Sequence, residues 1–489
     1  MIYNFHNAYC WIKGGVESGM AYRAKIFRNL GLDAKFIFTN YFPDRNIWYE
    51  TTDLGFQDSE VIWMYEFFTD CNVSPVTYTL KQLEDTFEEN NYIVLRDGTT
   101  VRYQFPDLNV YYLAYLADDQ SDFVYQVAMI SNGSMLRQDY YTYCRNYSEY
   151  YYPADGQAHL YLRRFFNKDG SVAYEEMIEG KTRFYKFHDK LLYSQEELVE
   201  YMMSCIHFTK NDVVLIDGEW GTIDKAAFLQ NAYPAKTGFI IHTYHYLYSD
   251  DEHILWSEWF EYIFSHPEKI SFFVTNTETQ SMLLKDQFRK YKGLDVRVET
   301  IPVAYLDRIR IPKNARKKHS LITAGRLSAD KNVNIIIEAV VMAKQEIPDI
   351  TLDIYGEGVI ETALRELIAE LKCDTYITLR GFQNLDDIYQ NYEAYISASF
   401  GETFGITLLE AVGSGLPIVG FDIPYGVQVF VDDGKNGFKM SCHTAKGLSD
   451  GIVRLFTKSD IEAFQRRSYE IAQAYLETDI EKKWRAILS

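Results

Sequence analysis

Short apolar runs alternate with longer amphipathic stretches between residues 320 and 421, and this alternation constrains the fold more than any other feature of the chain. Parallel strands need a crossover connection, usually a helix, so such a pattern is typical of a doubly wound α/β sheet. The expected strands are 320–324, 351–355, 376–380, 393–398 and 417–421. The expected helices are 332–346, 359–372, 384–391 and 403–413.

Two carboxylates lie eight residues apart in one strand–loop–helix of this domain, Glu402 on the loop and Glu410 two turns into the helix. The start of a helix presents free backbone N–H groups and the positive end of the helix dipole, which favours a phosphate. Carboxylates also accept paired hydrogen bonds from neighbouring sugar hydroxyls. The pattern indicates a nucleotide-sugar site, although an ordinary helix start with two solvated glutamates has the same spacing. The predicted contacts in this stretch are Glu402, Thr403, Phe404, Gly405 and Glu410.

Two cations, Arg326 and Lys331, follow Gly325 at the end of the first strand of the same domain. Open α/β sheets bind ligands at the carboxyl ends of their strands. Arg binds two phosphate oxygens at once and Lys adds a point charge, and both act most strongly on the charge that develops as a nucleoside diphosphate departs. A solvated surface pair is the alternative. Further strand-end loops at Gly356 and Phe382 are candidates for holding the nucleotide, although Phe382 fits equally well in the core.

The N-terminal part of the chain begins with a similar unit. A strand at 2–5 precedes a loop with Gly14 and Gly15 and a helix that Gly31 closes. Such a loop lets the backbone approach a phosphate or sugar closely, although Gly pairs after strands are also common turns. A later buried strand ends at His242. A single histidine in that position is more often a core residue with satisfied hydrogen bonds than a ligand.

From about residue 55 to about residue 190 the pattern changes to alternating aromatic and polar residues. Asx-Gly pairs interrupt it, and each such pair favours a two-residue hairpin turn, so we expect an antiparallel meander inserted into the first α/β domain. Its tyrosines exceed what one buried face needs, which favours a binding surface, while coverage of a thin sheet is the alternative. The pairs begin at Asp97, Asn132, Asp155 and Asp169, and the clustered tyrosines are Tyr140, Tyr141, Tyr143, Tyr147, Tyr150, Tyr151 and Tyr152.

Composition excludes several classes of function. The chain has 49 Lys and Arg against 69 Asp and Glu, a net charge of −20, which repels nucleic acid and anionic lipid. Six cysteines without a C-x-x-C motif indicate reduced thiols, and no segment approaches the ~18–20 apolar residues of a membrane span, so we expect a cytoplasmic protein. There is no D-x-D motif and no His/Cys cluster with ligand spacing, so we expect no metal.

Residues 399–411 resemble the E-x7-E motif of retaining GT-B glycosyltransferases of the glycogen-synthase-like family (family 4), and residues 325–331 resemble that family's G-R-x-x-x-x-K pattern. The resemblance implies two Rossmann-like doubly wound domains that face a cleft, with the C-terminal helix 471–489 crossing back to the first domain. It also implies a UDP-sugar donor, no cofactor, and a departing phosphate that takes the acceptor's proton. The implied catalytic residues are Arg326, Lys331, Glu402 and His242, with His245 as second choice, and the implied ligand-binding glycines are Gly14, Gly15, Gly325 and Gly356.

Further stretches resemble one subgroup, the catalytic subunits that add N-acetylglucosamine to serine-rich adhesins before accessory secretion. These stretches are 11–17, the aromatic insertion, 271–280 and 420–426. The resemblance implies a related non-catalytic partner subunit that docks on the insertion, a Ser/Thr-rich polypeptide acceptor, and UDP-GlcNAc or UDP-Glc as donor. Two alternatives stay open, a transferase that modifies the polyol-phosphate chain of teichoic acid and a non-catalytic, chaperone-like partner subunit.

The expected domain organisation has three parts. Residues 1–54 and 195–301 are predicted to form the N-terminal, acceptor-side domain, and residues 55–194 the inserted antiparallel domain for partner and acceptor. Residues 302–470 are predicted to form the C-terminal domain that binds the nucleotide-sugar, and Pro302 is the candidate linker residue.

Overall fold

Contacts within the chain define two units in the computed structural model. The residues that the structure describes are 1–6, 14–42, 46–89, 91–217 and 223–488. Unit 1 comprises 1–12, 32–239 and 261–271, and unit 2 comprises 13–31, 240–260 and 272–489. Residues 11–13 of the predicted N-terminal loop lie outside the described residues. The two units do not follow the three-part division, which stays a prediction.

The elements before the insertion are β1 (Ile2–His6), α1 (Gly15–Asn29), β2 (Ala34–Phe38), α2 (Ile47–Asp53), β3 (Val61–Trp63) and α3 (Leu80–Glu84). The next are β4 (Ile93–Asp97), β5 (Thr100–Phe105), β6 (Val110–Leu116), β7 (Val124–Ser131), β8 (Ser134–Tyr141), β9 (Arg145–Ala154), β10 (Gln157–Phe166), β11 (Val172–Glu179), β12 (Thr182–Lys186) and β13 (Leu191–Leu192). Then follow α4 (Gln195–Ile206), β14 (Val213–Asp217), α5 (Lys225–Asn231), β15 (Lys236–Ile241), β16 (Tyr246–Ser249), β17 (Ile254–Trp256), α6 (Glu258–Ser265), β18 (Phe272–Thr275), α7 (Glu278–Lys292) and β19 (Val298–Thr300).

The remaining elements all belong to unit 2. They are β20 (Ser320–Ala324), α8 (Val333–Ala343), β21 (Thr351–Tyr355), α9 (Glu361–Glu370), β22 (Ile377–Gly381), β23 (Ala394–Ser397), α10 (Ile406–Gly413), β24 (Ile418–Phe421), α11 (Gly426–Phe430), β25 (Gly437–Met440), α12 (Ala445–Lys458), α13 (Ile461–Ala472) and α14 (Glu477–Leu488).

Parallel strands of unit 1 lie side by side in the order β3-β2-β1-β14-β15. The pattern of pairing is regular, since Ile2 of β1 faces Val213 of β14 and Ala34 of β2. These strands are apolar on both faces, as expected for a parallel sheet that is covered on both sides. The strand β3 lies after residue 55, so the parallel sheet extends beyond the predicted start of the insertion.

A ten-stranded antiparallel sheet forms the insertion, and its strands follow one another in chain order from β4 to β13. Asn132 and Gly133 join β7 to β8, and both have positive φ, as do Asp155 and Gly156 between β9 and β10. Positive φ at both central residues is what a type I′ turn requires. The Asp169-Gly170 pair differs from the prediction, because it lies in a longer loop that the bond from the Asn167 N–H to the Ser171 carbonyl closes.

Much of the tyrosine cluster in the insertion is engaged internally around Glu149. The hydroxyls of Tyr140 and Tyr151 donate to its Oε2, at 2.9 and 2.6 Å. Arg163 donates to Glu149 Oε1 and to Glu176 Oε2, at 2.8 Å each. The prediction that these tyrosines exceed the needs of packing is therefore too strong, since several satisfy a buried carboxylate.

The six-stranded parallel sheet of unit 2 has the order β22-β21-β20-β23-β24-β25. Numbered within the sheet this is 3-2-1-4-5-6, the doubly wound order, and the direction of winding reverses between β20 and β23. The predicted strands are all present, but the helix predicted at 384–391 is wrong. Asn384 Oδ1 accepts the Asp386 N–H at 2.9 Å, a turn that competes with the helix, and only a single 3-10 turn forms at Tyr389–Asn391.

The C-terminal helix α14 packs against α1 in unit 2. Trp484 is buried, its ring meets Phe27 edge-on at 5.3 Å, and the guanidinium of Arg23 lies 5.6 Å from it. Lys25 on α1 pairs with Glu477 at the start of α14, at 2.9 Å. The end of the chain is thus fixed to its first helix by aromatic packing and an ion pair.

We predict that Trp484→Ala lowers the free energy of unfolding by about 3–5 kcal/mol, because it leaves a cavity between α1 and α14. Chemical denaturation followed by circular dichroism would measure this. Arg485→Ala, on the exposed side of the same helix, is the matched control and should change stability by less than about 0.5 kcal/mol. Equal effects of the two substitutions would contradict the packing assignment.

Among the described residues no helix combines the length and apolar character that crossing a bilayer requires.

Candidate active site

Three strand-end loops interlock at the carboxyl edge of the unit 2 sheet. The Gly325 N–H donates to the Tyr355 carbonyl at 3.0 Å, and the Gly356 N–H donates to the Gly381 carbonyl at 2.9 Å. Gly356 has φ +129, and a Cβ there would lie 1.9 Å from the Gly325 carbonyl oxygen. Only glycine fits this approach at position 356, and Gly325 has φ +150, so both predicted glycines have a structural reason within the candidate site.

Arg326 and Lys331 both act on the carboxylate of Asp330 in the loop after β20. Burial opposes ionisation of Asp330, but a hydrogen bond from Ser328 and the charges of Lys331 and Arg326 outweigh it and lower the pKa of Asp330. Arg326 is exposed, whereas the Lys331 side chain is only 23% exposed. The loop therefore offers one cation to solvent and one held close to the protein.

The structure brings the loops after β20 and β23 together through Lys331 and Glu402. The Lys331 ammonium donates to Glu402 Oε1, and the Ser399 hydroxyl donates to the same oxygen at 3.2 Å. Asn332 Nδ2 donates to the Ala398 carbonyl at 3.1 Å, which joins the two loops a second time. Because these loops flank the point where the winding reverses, they line the crevice in which doubly wound sheets bind ligands.

The helix α10 starts later than predicted, at Ile406, because Gly405 has φ +87 and caps it in a left-handed conformation. Glu410 lies on this helix, and the Tyr389 hydroxyl donates to its Oε2 at 2.9 Å. The Glu410 side chain is half-buried. Burial raises the pKa of Glu410 to about 7, against the opposing effects of the Tyr389 hydrogen bond and the charge of Arg310.

This pKa predicts a pH-dependent stability. The folded-state value of about 7 exceeds the ordinary value of 4.5, so the folded chain holds this proton more tightly than the unfolded chain. The resulting stabilisation is complete below pH 4.5 and is lost as the pH rises through 7. We expect Glu410→Gln to be more stable than wild type by on the order of 2 kcal/mol at pH 8, and nearly equal to it at pH 4.5.

Thermal unfolding at the two pH values would measure the difference. Glu361→Gln, at an exposed i,i+4 pair on α9, is the control and should show no such change with pH. A stability difference between Glu410→Gln and wild type that is the same at both pH values would contradict the assignment.

His242 lies beside this site, whereas His245 does not face it. The Thr403 hydroxyl donates to the His242 carbonyl at 2.5 Å, so the β15 end and the Glu402 loop are joined. His242 lines one cavity with Gly19 and Arg23 of α1. His245 is fully buried with Nε2 2.7 Å from Gln287 Oε1, and burial lowers its pKa to about 4, which is typical of a core histidine.

The other predicted contacts divide into accessible and buried groups. The start of α1 lies near the start of α10, since a Cβ on Gly15 would be 3.9 Å from Ile406 Cδ1, and Gly14 caps α1 there. Phe382 is 75% exposed, which excludes the core alternative and leaves its ring accessible for stacking. Phe404 is buried against Phe430, so only its backbone can face a ligand.

Sequence reasoning missed the residues that hold this arrangement together. Tyr395 lies on β23, and its hydroxyl donates to the Ala324 carbonyl at 2.9 Å and lies 2.9 Å from the Thr407 hydroxyl, which can donate to it in turn. Arg310 is nearly buried, and its Nε and Nη1 have no hydrogen-bond partner among the described residues. An aromatic residue in an otherwise aliphatic strand was the available signal for Tyr395, but nothing in the sequence marks Arg310.

Comparison with known proteins identifies the family. Residues 93–189 match the GtfA extended beta-sheet domain, and residues 307–473 match the glycosyl transferases group 1 domain. The chain is 40% identical, over 99% of its length and 97% of the relative's, to the UDP-N-acetylglucosamine–peptide N-acetylglucosaminyltransferase GtfA subunit of Streptococcus agalactiae. The chain belongs to the GtfA family of glycosyltransferases.

Solved structures of GtfA proteins confirm the fold. The pneumococcal O-GlcNAc transferase GtfA, in complex with UDP and GlcNAc, superimposes with a TM-score of 0.94 at 36% identity, covering 100% of this chain and 98% of that one. GtfA in a GtfA/B complex gives a TM-score of 0.92 at 39% identity, covering 100% and 99%. The predicted GT-B fold with an inserted β-sheet is confirmed, and the chain is a glycosyltransferase.

The teichoic-acid alternative has a more distant counterpart. Poly(ribitol-phosphate) alpha-N-acetylglucosaminyltransferase of Staphylococcus aureus is 22% identical over 66% of this chain and 68% of its own length. That level of similarity supports a shared fold rather than a shared acceptor.

Proposed function

We propose that this chain transfers N-acetylglucosamine from UDP-N-acetylglucosamine to Ser and Thr hydroxyls of a serine-rich polypeptide, with retention of anomeric configuration. The GtfA relatives supply the substrate class, since they are named as UDP-N-acetylglucosamine–peptide transferases. The observation that carries the proposal is the ion pair between Lys331 and Glu402 at the winding reversal, with Arg326 beside it. Cations for a diphosphate and a carboxylate for a sugar meet there.

In the proposed reaction the bond between the sugar C1 and the diphosphate oxygen breaks, and a bond forms between C1 and the acceptor oxygen on the same face. The acceptor's proton passes to the departing phosphate oxygen. Arg326 and Lys331 bind the diphosphate, where negative charge increases as the bond breaks, and such fixed charges stabilise the transition state. These cations take the role that a metal ion has in other transferases, and we propose that no metal is needed.

Glu402 and Glu410 are proposed to bind the two ends of the donor. Glu402 accepts hydrogen bonds from the sugar hydroxyls, and Lys331 holds it in position. Glu410 accepts from the ribose hydroxyls, and Phe382 stacks on the uracil base. His242, Gly14 and Gly15 are proposed to face the sugar from the other side, with Gly325, Gly356, Thr403 and Gly405 contributing backbone or hydroxyl groups.

We also propose that the inserted β-sheet docks a related, non-catalytic subunit, in line with the GtfA/B complex of a relative. The acceptor would be modified in the cytoplasm before its export.

Within the described ranges no group of three or more His, Cys, Asp or Glu side chains is placed to hold a metal ion.

Radiolabelled transfer would test the proposal. The purified chain, with and without its partner subunit, is incubated with UDP-GlcNAc or UDP-Glc and with a Ser-rich peptide or poly(ribitol phosphate). We expect label from UDP-GlcNAc on the peptide, unchanged by EDTA. Label on the polyol phosphate but not on the peptide would replace this function with the teichoic-acid alternative, and no transfer to either acceptor would contradict catalysis.

A further inference from the structure

A second cavity, in unit 1, lies between Phe42 and residues 46–66 on one side and the strands β7 to β9 on the other. Its walls are aromatic, and the polar groups at its base come from Glu66, Thr142 and Asn146. The empty space between these residues is about 460 Å³, and this volume includes part of the open solvent at the mouth of the cavity. The wall residues are Phe42, Trp63, Tyr125, Tyr140, Tyr141 and Tyr147.

Only one of the two carboxylate oxygens of Glu66 has a hydrogen-bond partner among the described residues. Asn146 Nδ2 donates to Glu66 Oε1 at 2.7 Å. The Thr142 N–H and hydroxyl donate to Asn146 Oδ1, at 2.8 and 2.7 Å, which fixes the amide so that its NH2 faces Glu66. Glu66 is 7% exposed, and its Oε2 is buried without a hydrogen-bond partner among the described residues. Buried polar atoms are rarely left unpaired, so this oxygen indicates an absent ligand.

Among the described residues, the groups that shift the pKa of Glu66 include no cation. Burial and the neighbouring Cys71 thiol raise the pKa of Glu66 to about 8, and the Asn146 hydrogen bond only partly opposes them. The other titratable groups that Glu66 influences are Cys144, Tyr147 and Tyr174. None of these groups is a cation. A cation that entered the cavity would therefore meet a carboxylate with an unused oxygen inside an aromatic lining.

The size of the cavity decides between possible occupants. Within the cavity, the centre of a water molecule can move through a volume of about 40 Å³. By the same measure, a cavity that holds one water molecule has a volume of about 10–15 Å³. This is room for a few water molecules or the tip of one side chain, and it is too small for a sugar ring or a nucleobase. Guanidinium is planar, stacks on aromatic faces and binds carboxylates through paired N–H groups, so it fits better than an ammonium.

We propose that this cavity binds an arginine side chain of another polypeptide, with the guanidinium paired to Glu66 and stacked against the tyrosine walls. The stem of the arginine would occupy the outer, aromatic part of the opening. The site is separate from the donor-binding residues of unit 2 and does not depend on the proposed reaction. It gives the inserted sheet a specific contact for a basic residue, in a chain with a net charge of −20.

Ligand-observed NMR with the full chain would test the proposal, with N-acetyl-arginine amide as probe and the isosteric, uncharged N-acetyl-citrulline amide as control. We expect the arginine probe to bind at least about 10-fold more tightly than the citrulline probe, since a charged hydrogen-bonded pair is lost in the latter. Glu66→Gln should abolish this preference, and Glu179→Gln, exposed on β11, should keep it. Tyr125→Leu keeps an apolar wall but removes a ring. It should weaken binding of the arginine probe and leave binding of the citrulline probe unchanged.

The pH profile gives a second readout that a purely structural role would not change. Guanidinium stays charged, so its binding should strengthen as the pH rises from 6.5 to about 8 and Glu66 ionises, and then become constant. Cys71→Ser should keep the rise in binding with pH but move it to lower pH, because the thiol no longer raises the pKa of Glu66, and this separates Glu66 from the thiol as the titrating group. Equal binding of both probes, or undiminished arginine binding in Glu66→Gln, would overturn the proposal.

Discussion

The Arg326→Ala enzyme is expected to transfer sugar about 10²–10³ times more slowly than wild type, with the loss mainly in kcat. Arg326 is exposed at the end of β20 and acts on the same carboxylate, Asp330, as Lys331 does. Its charge is needed most when the diphosphate departs, because the negative charge on the phosphate oxygens is then greatest. Its removal leaves no buried partner behind, so the thermal unfolding midpoint should stay within about 1 °C of wild type.

Steady-state transfer to a Ser-rich peptide measures this effect. Arg365→Ala provides the matched control, since Arg365 is an exposed arginine on α9 of the same sheet domain and pairs with Glu361 one turn away. It should retain full activity. If Arg326→Ala kept kcat within about threefold of wild type while Arg365→Ala did the same, Arg326 would not contact the departing diphosphate.

Glu402→Gln is expected to lower kcat/KM at least about 100-fold while preserving the fold. The substitution keeps the volume of the side chain but removes the negative charge that binds Lys331 and, in the proposed complex, the sugar hydroxyls. It also weakens the contact that holds the partly buried Lys331 ammonium, because a neutral amide replaces the carboxylate. Both consequences act on the transition state, and the same assay would measure them.

A double-mutant cycle distinguishes a working pair from two independent residues. Lys331→Met removes the cation at similar length, and we expect the double variant to lose far less than the product of the two single losses, because residues that act as a unit are strongly non-additive. The Glu361→Gln and Arg365→Ala pair, also a Glu–cation contact of unit 2, should show no activity coupling. Additive losses at Lys331 and Glu402 would mean that their contact has no role in transfer.

Elements with strong periodicity were predictable in detail. The strand predicted at 320–324 is β20, and its neighbours β21, β23 and β24 fall within one residue of the predicted bounds at most ends. The helix predicted at 384–391 failed because Asn384 closes a local turn onto Asp386. A side chain that accepts a hydrogen bond from a nearby backbone N–H competes with the helix that an apolar pattern predicts. The pattern alone does not show whether the helix or the local turn will form.

The tyrosines of the insertion also show that a sequence pattern does not reveal which partners the side chains find. Their number suggested a surface, yet Tyr140 and Tyr151 donate to Glu149, a carboxylate buried by the folding of the sheet itself. The Asn132-Gly133 and Asp155-Gly156 turns needed no such information, because Asx and Gly readily adopt the positive φ that these turns require.

By itself the sequence determined the parallel and antiparallel sheets, the glycines that their loops require, and the identity of the cations and carboxylates at the strand ends, since all of these follow from local periodicity and residue type. Only the tertiary structure decided that Lys331 meets Glu402, that burial raises the pKa of Glu410, and that His245 lies in the core. Those properties depend on which distant segments pack together, because the environment of a charge is set by neighbours in space and not by neighbours in the chain.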